Sequence, residues 1–232
     1  MNKARTICAV LLLLLALPLY SQPNPQLSSS NDLDNFMSHY YQDPRPDLIS
    51  DSLKCITVTK LPSQDEQCGA FIGFYAVIFA TNPEKRHTWV KQIQEMPEHD
   101  KSVLLLSLKL SEDLTKIKQI RISDSTSTDN DVCWGAFFAS GQNLYLSLLV
   151  DRLVNLQERK AMWPFLTAAS AQWSLSDNAI RHPRVRAYLI EREKSSPQII
   201  KQAIKEALTS EPSLIKQKTI NIAKQQHQNG IW

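Results

Sequence analysis

Apolar residues return every third or fourth position through most of this chain, and prolines cut the pattern into short runs. After Ser196-Pro197, the residues Ile200, Ala203, Ile204, Ala207 and Leu208 fall on one helical face. Tyr145, Leu148, Leu149, Leu153 and Leu156 make a second stripe of the same period. A proline in the first turn of a helix forfeits no hydrogen bond, because that N–H has no intrahelical partner anyway. Pro183, Pro197 and Pro212 therefore read as helix starts, each followed by an apolar face. The spacing predicts helices over about 31–42, 46–56, 63–81, 84–96, 98–110 and 112–119, and then over about 131–140, 142–158, 163–178, 183–194, 197–208 and 212–226. Cys55–Thr59 and Gln119–Ser123 carry β-branched residues and suit a short extended stretch, but neither makes a sheet.

Short helices joined by short turns must fold back on one another, so the pattern predicts an all-α, multi-helix antiparallel bundle. Solenoid-like stacking of hairpins is the variant of that architecture, although no fixed repeat is visible. The most apolar stretch, Ala70–Ala80, is too short to span a bilayer, which takes about 20 residues, and predicts a central buried helix. Gly69 and Gly73 lie four apart in or beside it, where a neighbouring helix can approach closely. Ser123–Asp131 is polar throughout and predicts an internal loop or a division between lobes, with Asp131 capping the next helix.

Composition narrows the class. The 232 residues are 43% apolar and 21% charged, enough for one or two globular domains with a real core. Only 5 glycines leave little material for phosphate loops or glycine-cornered barrels.

The N-terminus has its own logic. Lys3 and Arg5 precede an unbroken apolar run from Ile7 to Leu17 and then Pro18-Leu19-Tyr20-Ser21, the order of an export signal cleaved near Ser21, with an uncleaved anchor as the alternative. The expected organisation is a signal peptide at 1–21, a polar tether at 22–30 and a helical domain at 31–232. Exported means periplasmic or secreted. Removing Lys3 and Arg5 leaves 24 basic against 23 acidic residues, so no attraction to nucleic acid is expected. The distribution is uneven, with seven acids and three bases in 31–70 against ten bases and four acids in 181–224.

Cys55, Cys68 and Cys133 remain after cleavage. In an oxidising compartment Cys55 and Cys68 are the candidate disulfide, closing a short loop across Pro62; buried thiols are the equal alternative. No Cys-x-x-Cys occurs, and the five histidines show no zinc-ligand spacing, so neither a metal site nor a cofactor is expected.

Motif matches fail on inspection. Ser176-Asp177-Asn178 and Ser213-Leu-Ile-Lys216 copy two motifs of the penicillin-recognising serine enzymes, but in reversed order, and Lys218-Thr219 is followed by Ile220 instead of glycine. Asp124, Asp129 and Asp131 lack the central glycine and closing glutamate of a calcium loop.

Three stretches carry a resemblance: Phe36–Ile49 with Tyr40-Tyr41 before Asp43-Pro44-Arg45-Pro46, Gly73–Pro83 with Trp89, and Trp173–Val185 with Asn178-Ala179 and His182-Pro183. Their order is similar to that in a group of bacterial proteins of uncharacterised activity. The similarity covers roughly 33–190 and implies a bacterial, mainly helical protein with no established chemistry.

The sequence thus leads to an exported helical protein-interaction module of the bacterial envelope, a class that includes immunity-type inhibitors. Its partner would be a protein met through the acidic N-terminal or the basic C-terminal region, with no nucleic acid and no membrane span after cleavage. Tyr40, Tyr41, Asn178 and His182 are the candidate binding residues, expected in one locality where the N-terminal hairpin meets the helices around 163–194. The rival reading is an envelope-directed hydrolase with a site from His39, Asp43, Asn178 and His182. An enzyme needs those groups to converge in an open cleft.

Overall fold

The computed structural model describes residues 27–59, 68–119 and 125–232, and the leader, most of the tether and the stretches 60–67 and 120–124 lie outside them. Among the described residues there are twelve α-helices and no strand, an all-α helical bundle. The helices are α1 Ser30–His39, α2 Ile49–Thr59, α3 Gly69–Thr81, α4 Pro83–Gln94, α5 Glu98–Ser111 and α6 Thr115–Gln119. They continue with α7 Ser127–Ser140, α8 Asn143–Arg152, α9 Met162–Arg181, α10 Pro183–Ser195, α11 Gln198–Thr209 and α12 Pro212–Gln228, with a 3-10 turn, Leu153–Gln157, after α8.

Local chemistry sets the boundaries. Pro83, Pro183 and Pro212 are each the first helical residue of α4, α10 and α12, and Pro97 and Pro197 stand just before α5 and α11. Ser29 caps α1 in a reciprocal box with Asp32, and Leu27 packs on the core, so the described end of the expected tether belongs to the packed structure. Thr126 and Asp129 form a second capping box. That box starts α7 at Ser127, so 127–131 of the expected loop are helical and Asp131 lies inside the helix instead of at its cap, while 123 and 124 lie outside the described residues. The Cys55–Thr59 stretch is helical as the last turn of α2.

Two long elements organise the packing. In α3 the six consecutive residues Phe74–Phe79 are all buried, as expected of a helix surrounded on every side. It packs mainly on α7 and α5. The contact with α7 is close because Gly73 and Gly135 lie against the opposing backbones: a Cβ on Gly73 would stand 2.0 Å from the Val132 carbonyl oxygen, and one on Gly135 1.9 Å from that of Ala70. The 20-residue α9 serves the C-terminal half, touching α8, α10, α11 and α12, so these helices gather on one long helix. One hydrophobic cluster runs from Leu33 in α1 through α3 and α7 to Ile204 in α11, which makes the described residues a single packed unit. None of the described helices is long and apolar enough to cross a membrane.

Cys68 is buried at the N-cap of α3, and Cys55 is a buried thiol whose Sγ–H points to the Ser29 carbonyl at 3.5 Å, joining the start of α1 to α2.

Candidate functional site

Three helix ends meet at the predicted junction. α7 stops at Gly141, whose φ of 65° is the left-handed cap that glycine adopts at little cost, and the chain turns there against the ring of Tyr41 and the Arg184 guanidinium. α1 ends at His39, and the next two residues diverge. Tyr40 turns inward, 5% exposed, edge-on to Phe36 and Phe74, and burial with the nearby Asp47 pushes its hydroxyl up to about 12. Tyr41 turns the other way, onto Phe137 and towards His182.

His182 links α9 to α10. Its backbone N–H donates to the Asn178 carbonyl at 2.8 Å and its own carbonyl accepts from Val185, while the fixed ring of Pro183 begins the next helix. The imidazole is 1% exposed, with Nδ1 3.3 Å from the Tyr41 hydroxyl and ring centroids 5.1 Å from His39 and 5.3 Å from Phe138. Burial first, then the neighbouring His39 and Arg181, holds its pKa down to about 4. Tyr41 accepts a hydrogen bond from Gln42 Nε2 at 3.0 Å, which leaves its own proton for Nδ1 of a neutral imidazole.

Of the four candidate binding residues, Tyr41 and His182 touch. Asn178 stands one turn before His182 near the end of α9, and its amide donates to the Ser174 carbonyl one turn further back, at 2.9 Å. Tyr40 belongs to the core. For the hydrolase set, His39 reaches His182, Asp43 lies exposed on the turn after α1, and Asn178 is engaged with its own helix. The junction encloses His182, with Tyr41 half-buried and His39 and Gln42 exposed at its edge.

Three surface depressions lie elsewhere. One of about 380 Å³ opens between the 3-10 turn, α9, α11 and α12, over Phe165, Ile199, Ile215 and Ile222. A neighbour of about 490 Å³ runs along α11 between Lys201, Lys205 and Lys218, and the two share Gln198, Gln202, Glu206 and Lys218. A third of about 500 Å³ sits between the start of α8 and the α10 side chains of Arg184, Tyr188 and Arg192. From the end of α9 through α12 the charges are unevenly matched. Arg181, Arg192, Lys194 and Lys218 pair with carboxylates and Lys216 lies over Trp173 at 5.0 Å, while Arg184, Arg186, Lys201, Lys205 and Lys224 are exposed and make no ion pair with described residues.

Sequence reasoning missed this trough. The one local signal is Gln172, a polar residue inside the buried stripe Ala168, Ala171 and Leu175 of α9. No group of three or more metal-ligating side chains occurs among the described residues. Comparison of the chain with family models, curated proteins and solved structures finds no match.

Proposed function

We propose that this protein is a non-catalytic helical binding module, exported to the bacterial envelope by its leader, which meets an acidic partner protein through α10–α12. The observation that carries the reading is the set of five exposed cations without ion pairs on one run of helices, beside a depression of mixed polar and apolar lining large enough to seat side chains. Unpaired surface charge does little for stability. It speeds encounter with an opposite surface and rejects wrong partners. The polar junction supports the same reading from the other side, because His182 is enclosed and the depressions described above are not lined by His39, Asp43, Asn178 or His182.

In-cell photo-crosslinking tests it. A crosslinking amino acid is placed in turn at Arg186, Lys205 and Lys224, and as a control at His87, exposed on α4. The reading expects one adduct common to the C-terminal positions and absent from His87. No adduct, or the same adduct from His87, overturns it.

A further inference from the structure

Gln172 is 4% exposed, and both hydrogens of its amide are committed: Nε2 donates to the Ala203 carbonyl at 3.1 Å and to Glu206 Oε2 at 3.0 Å. Its Oε1 accepts no hydrogen bond from any described residue, although the side chain lines the 380 Å³ depression. That oxygen is not sealed from solvent, so water or a ligand can supply its donor. Two further carboxamides, those of Gln198 and Gln202, stand exposed on α11 at the same opening. Three amides along one trough offer the donor and acceptor pattern that a peptide main chain presents. Beneath them Ile199 and Ile222 offer apolar surface, while Phe165 is already covered by Arg159 and Trp232.

Shape and charge define the occupant. The depression continues over α11 into the second one, so the space is elongated, as a chain segment requires and a compact molecule does not. Glu206 is neutralised inside it, with one oxygen bonded to Gln172 and the other to Lys218 at 2.7 Å. Lys201 and Lys205 remain as unpaired cations on the rim, opposed by Glu193 at one side.

We propose that the trough between α9, α11 and α12 binds an extended segment of the partner protein in which apolar and acidic side chains alternate. Apolar side chains enter the floor, acidic ones meet Lys201 and Lys205, and Gln172 and Gln202 bond the main chain between them. Alternate side chains of an extended peptide point to opposite sides, which matches a floor on one side and a cationic rim on the other. The inference rests on the reading of the protein as a binding module.

Selection from a displayed library of random dodecapeptides against the purified chain tests it. Peptides alternating acidic and apolar residues should be enriched. A synthetic copy of an enriched peptide should lose tenfold or more in affinity against Lys201→Glu/Lys205→Glu, and several-fold against Gln202→Ala. Both variants change exposed side chains only, and unchanged thermal unfolding would show that the fold is intact. Enrichment of basic peptides, no enrichment, or binding indifferent to these substitutions overturns the trough. If crosslinks from Arg186 and Lys224 persist while the trough fails, the binding reading stands without it. Loss of both removes both.

Discussion

The hydroxyl of Tyr41 stands 3.3 Å from Nδ1 of His182, joining the end of α1 to the α9–α10 step across 141 residues. The bond fixes the approach of two chain segments that share no sequence neighbourhood, and it does so at a histidine with almost no access to water. Tyr41→Phe leaves a buried nitrogen without a partner, which costs about 1–3 kcal/mol. Urea unfolding should show that loss, and a double-mutant cycle with His182→Leu should give a coupling of about 1 kcal/mol. Asn178→Ala, whose amide serves Ser174, should add to Tyr41→Phe without coupling. A coupling to Asn178 as large as that to His182 would contradict the geometry.

Buried His182 and half-buried Asp131 set opposing pH dependences. His182 is held down to about 4 against 6.5 when unfolded, so between these values the unfolded chain binds the extra proton and stability falls as pH is lowered. Asp131, on α7 against Gly69, is raised to about 6 from 3.8 by burial. Here the folded chain binds the extra proton between those values, so stability rises as pH is lowered through the window. Asp131→Asn removes the second effect. The variant should be more stable than the parent at pH 7, by about 1 kcal/mol once solvent screening is allowed for, and equal to it near pH 4. Urea titrations of both chains across pH 4–7 check the convergence; a difference independent of pH would assign the effect to packing.

How legible this was depends on how local each feature is. The helices could be read because Pro83, Pro183 and Pro212 mark starts and apolar stripes such as Ile200, Ala203 and Ile204 mark faces, both within a few residues. The Thr126–Asp129 box was equally local, yet its surroundings of serine and aspartate suggested a loop. Tyr40 and Tyr41 show the next limit. Both looked like one polar-aromatic pair, but adjacent residues at a helix end face different ways, and only packing decides that Tyr40 meets Phe74 and Tyr41 meets His182. The trough was out of reach, since it is assembled from the 3-10 turn, α9, α11 and α12.

The α3–α7 contact makes a prediction against helix propensity. Alanine is the better helix former by about 1 kcal/mol, yet a Cβ at Gly73 would sit 2.0 Å from a backbone oxygen that cannot swing aside. Gly73→Ala should therefore destabilise by about 3 kcal/mol or more, because the two helices must separate. Gly230, with nothing within 4 Å of its would-be Cβ, is the contrast: at φ 67° Gly230→Ala should cost about 1 kcal/mol of local strain. Thermal unfolding of the two variants should separate them clearly, and a neutral Gly73→Ala would mean that α3 and α7 are not so closely packed.

Arg152 tests how the halves are joined. Its side chain is 2% exposed at the end of α8 and forms no ion pair with a described carboxylate; the guanidinium donates to Oδ1 of Asn130 in α7. Asn130 Nδ2 passes the connection to the Thr167 carbonyl in α9 at 2.9 Å, and the Thr167 hydroxyl donates to the Ser125 carbonyl at 3.0 Å. A buried charge relies on each partner it has, so removing the acceptor costs more than removing the charge itself. Asn130→Ala should lose about 2 kcal/mol, since it takes the amide oxygen from a buried guanidinium that keeps its bond to the Cys133 side chain, while the Thr167 carbonyl keeps its bond within α9. Arg152→Met keeps most of the stem's apolar contacts, takes away the charge and leaves one amide oxygen unpaired, for a loss of about 1 kcal/mol. Adding Arg152→Met to Asn130→Ala should then recover part of the deficit in urea unfolding. If Arg152→Met is the more damaging single change, the guanidinium contributes net stability where it lies, and its partner matters less than its own packing.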